Sequence, residues 1–153
     1  MIFNLRGLEL DPEPDTPEAH RFSGRSLTKA VGATRTGMSV YEVSPRSKHW
    51  PYHFELIEEE WLFVIEGEIV LRTPEGERVM RAGDVVCFPA GAAGAHAVRN
   101  DSDAVARFAM PSAGCKYGDG CVYPDSGKFV IRTQGFSHRG RLGDTVEYWD
   151  GET

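Results

Sequence analysis

The residues best suited to chemistry lie in one acidic, aromatic-rich stretch, 51–67, which contains His53, Glu55 and Glu60. Side chains of an extended segment alternate between two faces, so His53 and Glu55 point to the same side. Glu60 cannot share that side in a continuous strand, because it lies an odd number of residues beyond Glu55. The charged, strand-poor pair at 58–59 therefore predicts a turn, after which a new strand starts at Glu60. One imidazole and two carboxylates that converge on one interior are typical ligands of a divalent metal ion.

The spacing of these residues resembles a known family pattern. The first cupin motif reads His-x-His-x(3,4)-Glu-x(6)-Gly, and the chain has His53-x-Glu55-x(4)-Glu60-x(6)-Gly67. The chain departs from the motif at one position, where Glu55 takes the place of the second histidine. The count back from Gly67 selects Glu60 from the run of three glutamates.

A second pattern begins after a gap of 15 residues. The second cupin motif reads Gly-x(5)-Pro-x-Gly-x(2)-His-x(3)-Asn, and the chain has Gly83-x(5)-Pro89-x-Gly91-x(4)-His96-x(3)-Asn100. Two extra residues precede the histidine. Because both motifs occur in the right order, the chain is identified as a member of the cupin superfamily. The segments 123–128 and 148–152 resemble those of small single-domain cupins.

The resemblance implies a fold and a ligand set. The implied fold is all-β, a cupin jelly-roll β-barrel (double-stranded β-helix) in a single domain. The implied metal ligands are His53, Glu55, Glu60 and His96. Two imidazoles with one or two carboxylates suit one divalent ion of Fe, Mn, Ni, Co or Zn. The alternative is a cupin without metal, in which buried acids must be protonated or paired.

Glu55 stands at a family ligand position, and two roles stay open for it. As a ligand, it completes a set of two histidines and two carboxylates. As a non-ligand, it leaves His53, Glu60 and His96, a set that resembles the two-histidine, one-carboxylate site of non-haem iron oxygenases. Glu55 would then be a carboxylate close to the ion, placed to act as a general base.

The totals favour one small globular domain. The chain has 153 residues and a formal net charge of −6, without a basic patch, which argues against nucleic acid and anionic membranes as partners. Its three cysteines fit no zinc spacing and favour a reduced, intracellular protein. No signal peptide opens the chain and no run approaches the length of a membrane helix. We therefore expect a cytoplasmic protein.

Short strands separated by turns are predicted along the whole chain. No window shows a convincing helical period. The expected organisation is an extended N-terminal arm at 1–25, the barrel at 26–134, and a C-terminal tail at 135–153 that packs on the barrel or on a partner subunit. The predicted strands are 26–31, 38–44, 60–65, 68–73, 77–81, 85–88, 95–99, 104–110, 121–123 and 129–132.

Alternation assigns side chains of these strands to faces. In the strand that starts at Glu60, Leu62 and Val64 share its face, and Trp61, Phe63 and Ile65 take the other. The apolar run 85–88 suits a strand covered on both faces. In the later strand, His96 and Val98 are expected to face inward. The outward aromatic stripe requires a cover, which predicts a homodimer.

Other histidines and the cysteines are weaker site candidates. His49 precedes His53 by four residues, but Pro51 between them rules out a shared helical face. His20 and His138 are expected at the surface, and Cys87 in the core. Cys115 and Cys121 flank a glycine-rich loop that either gates the barrel or merely connects two strands.

Three functions stay open at this point. The first is a metal-dependent enzyme that transforms a small polar or phenolic molecule by dioxygenase-, isomerase- or lyase-type chemistry. The second is a non-catalytic metallo-cupin that binds or senses a small molecule. The third is a structural cupin without metal. The first is favoured narrowly, and any chemistry must depend on the metal or on Glu55 as a base.

Overall fold

The structure, a computed structural model, describes residues 1–114, 118–143 and 145–152. Strands dominate these residues, and one 3-10 turn, Ala92–Gly94, interrupts them. The strands are β1 (Asp11–Pro12), β2 (Phe22–Ser26), β3 (Gly37–Val43), β4 (Ser47–Lys48), β5 (Phe54–Glu55), β6 (Glu60–Glu66), β7 (Glu68–Thr73), β8 (Gly76–Arg81), β9 (Val85–Phe88), β10 (Ala97–Asn100), β11 (Ala106–Ser112), β12 (Gly118–Tyr123), β13 (Lys128–Thr133) and β14 (Phe136–Arg141). Among the described residues, no helix is long and apolar enough to span a membrane.

The strands form three antiparallel sheets. The first has the order β1-β2-β3-β11-β6-β9, the second β4-β10-β7-β8, and the third β14-β13-β12-β5. An isolated bridge between His53 and His96 joins the start of β5 to the start of β10. The expected all-β jelly-roll architecture is confirmed.

The main core lies between the first and second sheets. The six-stranded sheet contributes residues such as Leu62 and Phe108, and the second sheet contributes residues such as Ile69 and Val98. The predicted alternation in β6 is confirmed, because Leu62 and Val64 are buried while Trp61 and Phe63 are exposed. Gly67 then makes the turn into β7 with a φ of 76°, and a Cβ there would lie 2.7 Å from the Val105 carbonyl oxygen.

The N-terminal residues cover part of the outer face of the six-stranded sheet. Leu8 packs there with Val40 and Ala109, and partly buried residues including Ile65 surround them. Arg107 fixes this segment, since its Nη1 donates to the carbonyl oxygens of residues 5, 6 and 8. The division into arm, barrel and tail at 25 and 134 stays a prediction.

Several strand predictions were wrong. Residues 28–32 form a turn, and the strand expected there ends at Ser26. β9 is an edge strand whose Val85 is 48% exposed, so it is not covered on both faces. β14 was not predicted, because its polar sequence lacks an alternating apolar pattern. Cys115, in the loop discussed above, lies outside the described residues.

Candidate metal centre

Backbone pairing places two histidines opposite each other. His53 N–H donates to the His96 carbonyl oxygen at 3.1 Å, and His96 N–H donates to the His53 carbonyl oxygen at 2.8 Å. The ring centroids lie 4.8 Å apart. Phe88 stacks on the His96 ring at 3.8 Å, and Tyr123 stacks on the His53 ring at 5.6 Å. Each imidazole therefore packs against the other imidazole and against one aromatic ring.

Both histidines are held in the same tautomer. Nδ1 of His53 lies 2.8 Å from the Pro51 carbonyl oxygen, and Nδ1 of His96 lies 2.9 Å from the Gly94 carbonyl oxygen. A carbonyl oxygen only accepts, so each Nδ1 carries the hydrogen. In a neutral imidazole this leaves the Nε2 lone pair free, as metal-binding histidines require.

The lengthened segment between Gly91 and His96 contains a tight 3-10 turn. This turn, Ala92–Gly94, brings the Gly94 carbonyl oxygen within hydrogen-bonding distance of His96 Nδ1. A Cβ at Gly94 would lie 1.8 Å from the Pro89 carbonyl oxygen, so no other residue fits there without a shift of the backbone. The departure from the family spacing therefore leaves His96 at the inward position that was predicted for it.

Two carboxylates approach the free imidazole nitrogens. Glu60 Oε2 lies 3.6 Å from His96 Nε2, and Glu55 Oε1 lies 3.6 Å from His53 Nε2. One ligand atom from each of His53, Glu60 and His96 falls within 4.8 Å of the other two. An ion with bonds of about 2.1 Å needs ligand atoms roughly 3 to 4 Å apart, so small movements close this group. Glu55 is not a member of this group but lies next to its residue His53. The role of Glu55 as a ligand stays a prediction.

The side-chain atoms that face one another lack other partners. Glu60 Oε2 and His96 Nε2 are buried without a hydrogen-bond partner among the described residues. An unpaired buried carboxylate oxygen and an unpaired imidazole nitrogen are both costly, and a cation satisfies both at once. The donor set therefore fits a divalent metal ion.

Protonation in this centre is shifted toward the neutral forms. Burial, helped by the nearby Glu60 charge, raises the pKa of Glu55 to about 8. Burial, with Glu58 and Asp119, raises the pKa of Glu60 to about 7. Burial lowers the pKa of His96 to about 3 and also lowers that of His53. Near neutral pH the metal-free centre thus carries little net charge, and an ion would replace protons on the carboxylates.

The centre opens into an inner cavity of about 270 Å³. A wider outer cavity of about 680 Å³ shares four of its lining residues, Glu55, Glu60, Cys121 and Arg132. The outer rim is fixed by Asp119, whose carboxylate accepts hydrogen bonds from the backbone N–H groups of residues 57, 58 and 120. The inner cavity is lined by Tyr41, His49, Trp50, His53, Glu55, Glu60, His96, Met110, Cys121, Tyr123 and Arg132.

Several lining residues were missed or misjudged from the sequence. His49 was set aside because Pro51 excludes a helix, yet an extended chain brings it to the same cavity. Tyr123 and Arg132 come from β12 and β13, which reach the site only through sheet pairing. His138 is exposed as expected, whereas His20 is half-buried and Cys87 is not fully buried. The pairing of Cys121 with Glu55 could not be inferred from a motif.

Comparison with known proteins agrees with this architecture. The family model of the cupin domain matches residues 39–111. No curated protein matches the chain. A sugar phosphate isomerase of the cupin superfamily from Silicibacter pomeroyi is 24% identical, with 97% of this chain and 98% of that chain covered and a TM-score of 0.81.

Two further solved structures share the fold. A candidate sugar phosphate isomerase from Acidithiobacillus ferrooxidans is 23% identical over 94% of this chain and 91% of that chain, with a TM-score of 0.82. The polyketide cyclase RemF from Streptomyces resistomycificus is 24% identical over 73% and 79%, with a TM-score of 0.59. At these identities the likeness shows the fold alone. The family model and both motifs identify residues 39–111 as a cupin domain, and the solved structures show that its fold is that of the cupin superfamily.

Proposed function

We propose that this chain binds one divalent metal ion through His53, Glu60 and His96 and uses it to transform a small polar or phenolic molecule in the inner cavity. The observation that carries the proposal is the convergence of free Nε2 and Oε2 atoms in buried surroundings. When bound, such an ion polarises the oxygen atoms of its ligand.

If Glu55 is not a metal ligand, we propose that it moves a proton. Its Oε1 lies 3.6 Å from His53 Nε2, and its carboxyl group lines both cavities. A carboxyl group with a raised pKa can take a proton from a ligand carbon or hydroxyl group and return it. Among the described lining residues of the inner cavity, Arg132 is the one permanently cationic side chain, which favours a ligand that carries a negative group.

Isomerisation of a phosphorylated sugar is the first activity to test. The Silicibacter pomeroyi protein is named as a sugar phosphate isomerase, and such a substrate is small, polar and anionic. Proton transfer between neighbouring carbons needs one base and one polarising cation, and Glu55 with the ion would supply both.

The test begins with metal content. Protein purified without an affinity tag is measured by ICP-MS, with the His53→Ala/His96→Ala double variant as the control. We expect about one metal ion per wild-type chain and none in the double variant. Loaded protein is then assayed with sugar phosphates for isomerisation and with phenols for oxygen uptake. Stoichiometric metal in the double variant would overturn the proposed site.

A non-catalytic binding or sensing module is the second candidate. The aromatic side chains of Tyr41, Trp50 and Tyr123 favour it, because they supply contact area for a small molecule. Tight ligand binding with no turnover across the panel would select this function.

We also propose a homodimer in the cytoplasm. Support for the dimer comes from Trp61, Phe63 and Val85, which are 43%, 42% and 48% exposed on one sheet face. Support for the location comes from Cys87 and Cys121, which are both free thiols.

A further inference from the structure

A third buried atom lacks a partner, and a metal ion does not account for it. Among the described residues, His49 Nε2 is buried without a hydrogen bond, like Glu60 Oε2 and His96 Nε2. The latter two belong to the group that could hold an ion, whereas His49 does not. A buried polar atom without a partner is rare and destabilising, so His49 requires its own explanation.

The His49 ring is held rigidly by aromatic neighbours. Its centroid lies 4.4 Å from that of Tyr41, 4.6 Å from Phe22 and 5.1 Å from Phe108. The backbone is fixed as well, because His49 N–H donates to the Val98 carbonyl oxygen at 2.9 Å and its carbonyl accepts from His20 Nδ1. An apolar residue would suit this box better than histidine, unless the ring nitrogen has a use.

The ring also lines the inner cavity beside the metal centre. His49 is 3% exposed, and burial lowers its pKa well below the ordinary value, so the imidazole is neutral. In a neutral imidazole Nε2 either donates or accepts one hydrogen bond. Nε2 of His49 can therefore form one hydrogen bond that the described residues do not supply.

We propose that His49 is a ligand-binding residue whose Nε2 forms a hydrogen bond with an oxygen atom of the molecule held in the inner cavity. The inference rests on the proposed function, in which the ion holds another oxygen of the same molecule. The ligand class that fits is a small compound with two neighbouring oxygen groups, such as a hydroxy acid, a dicarboxylate or a vicinal diol. One oxygen would face the ion and the other His49.

This role has a consequence that separates it from a structural one. If Nε2 has no partner in the free protein, replacing the ring by phenylalanine removes an unpaired polar atom and keeps the aromatic packing. The His49→Phe variant should then be as stable as the wild type, or more so, while it loses ligand affinity. A residue kept for stability would show the opposite result.

The experiment uses full-length protein and oxalate, a dicarboxylate, as the probe. We compare wild type, His49→Phe, His49→Gln and, as the control, Phe22→Leu, which loosens the same aromatic box but keeps the imidazole. Measurements are the Tm of the metal-free protein, zinc content after loading, and oxalate affinity of the zinc form by calorimetry.

For His49→Phe we expect a Tm unchanged or raised by about 2–4 °C, unchanged zinc content, and oxalate affinity lowered about tenfold. His49→Gln should lose less affinity, because its amide can still form a hydrogen bond. Phe22→Leu should lose Tm but bind oxalate within about twofold of the wild type.

The inference is overturned if His49→Phe binds oxalate as tightly as the wild type, or if its Tm falls by more than about 4 °C. A wild type that takes up no zinc would instead defeat the proposed function. In that case the role of His49 is judged by the Tm of His49→Phe against that of the wild type. A lower Tm in the variant would show that His49 serves to stabilise the fold.

Discussion

The two faces of strand β6 differ sharply, although their residues alternate along one chain segment. Glu60, Leu62 and Val64 point inward, where the first meets the metal centre and the others are buried in the core. Trp61 and Phe63 point outward, stack on each other with centroids 6.2 Å apart, and stay exposed. Both faces are apolar over most of their length, so composition alone does not distinguish them.

The difference lies in what the rest of the chain brings to each face. The inner face receives β5, the turn before β10, and β12, which together complete a centre. Within the described residues, the outer face receives the N-terminal residues and Leu27, which reach Ile65 but leave Trp61 and Phe63 partly exposed. A functional face is thus recognised by the convergence of polar atoms that lack partners, whereas the outer face offers only apolar area.

The largest effect is expected from the inner face when a histidine is removed. His96→Ala or His53→Ala should lower metal affinity by more than about 100-fold, because each removes one of three ligands. Far-UV circular dichroism should stay unchanged. The matched outer-face variant Phe63→Ser should keep full metal content by ICP-MS. If Phe63→Ser lost metal too, the functional separation of the two faces would be wrong.

Substitutions on the two faces should also differ in how much they lower the stability of the fold. Leu62 is fully buried, so Leu62→Ala should lower the free energy of unfolding by about 2–5 kcal/mol. Phe63→Ala on the neighbouring position should cost the isolated chain less than about 1 kcal/mol, since its ring is half exposed. Urea unfolding at a concentration that keeps the chain monomeric measures both. Equal losses would show that the outer face is covered within one chain.

The outer face should respond to changes that affect assembly. Phe63 lies directly opposite Val85 in the register of β6 and β9, and β9 has an open edge. We expect light scattering to give about twice the 17.0 kDa of one chain for the wild type. Trp61→Ser with Phe63→Ser should give the single-chain mass. A wild-type mass near that of one chain would contradict the homodimer.

The sequence predicted the centre better than its surroundings. Motif spacing selected His53, Glu60 and His96 by short-range counts around turns, and the structure brings these three together in a group that could hold a metal ion. Their role as ligands stays a prediction. Motif spacing did not identify His49 or Tyr123 as lining residues, because their positions depend on long-range pairing. β14 was missed for a related reason, since its polar strand is set by pairing with β13 rather than by burial.

A further expected effect concerns pH, and it separates the faces once more. Glu55 and Glu60 have raised pKa values of about 8 and about 7, against an ordinary value of 4.5. Between about pH 4.5 and 8, the folded metal-free chain therefore holds protons that the unfolded chain has lost. Rising pH in this window lowers the stability of the metal-free fold through these two groups. The mass of the assembled protein, which depends on the outer face, should not change.

Metal binding should show the opposite trend, because the ion replaces protons on the carboxylates. Affinity should rise about tenfold per pH unit for each proton released, and level off above the pKa of the group concerned. If Glu60 alone binds, the profile levels near pH 7; if Glu55 also binds, it keeps rising to about pH 8. Zinc affinity measured by competition with a chelator between pH 5.5 and 9 distinguishes the two roles.

The Glu55→Gln variant completes the test. In the ligand case it should weaken metal binding by about 10- to 100-fold and move the plateau down to about pH 7. In the base case it should keep the metal and the wild-type pH profile but abolish turnover, because glutamine cannot accept the proton. A variant with unchanged affinity, unchanged profile and unchanged turnover would remove Glu55 from both roles. The centre would then consist of His53, Glu60 and His96, and the substitution of the second motif histidine would be a loss of a ligand rather than an exchange.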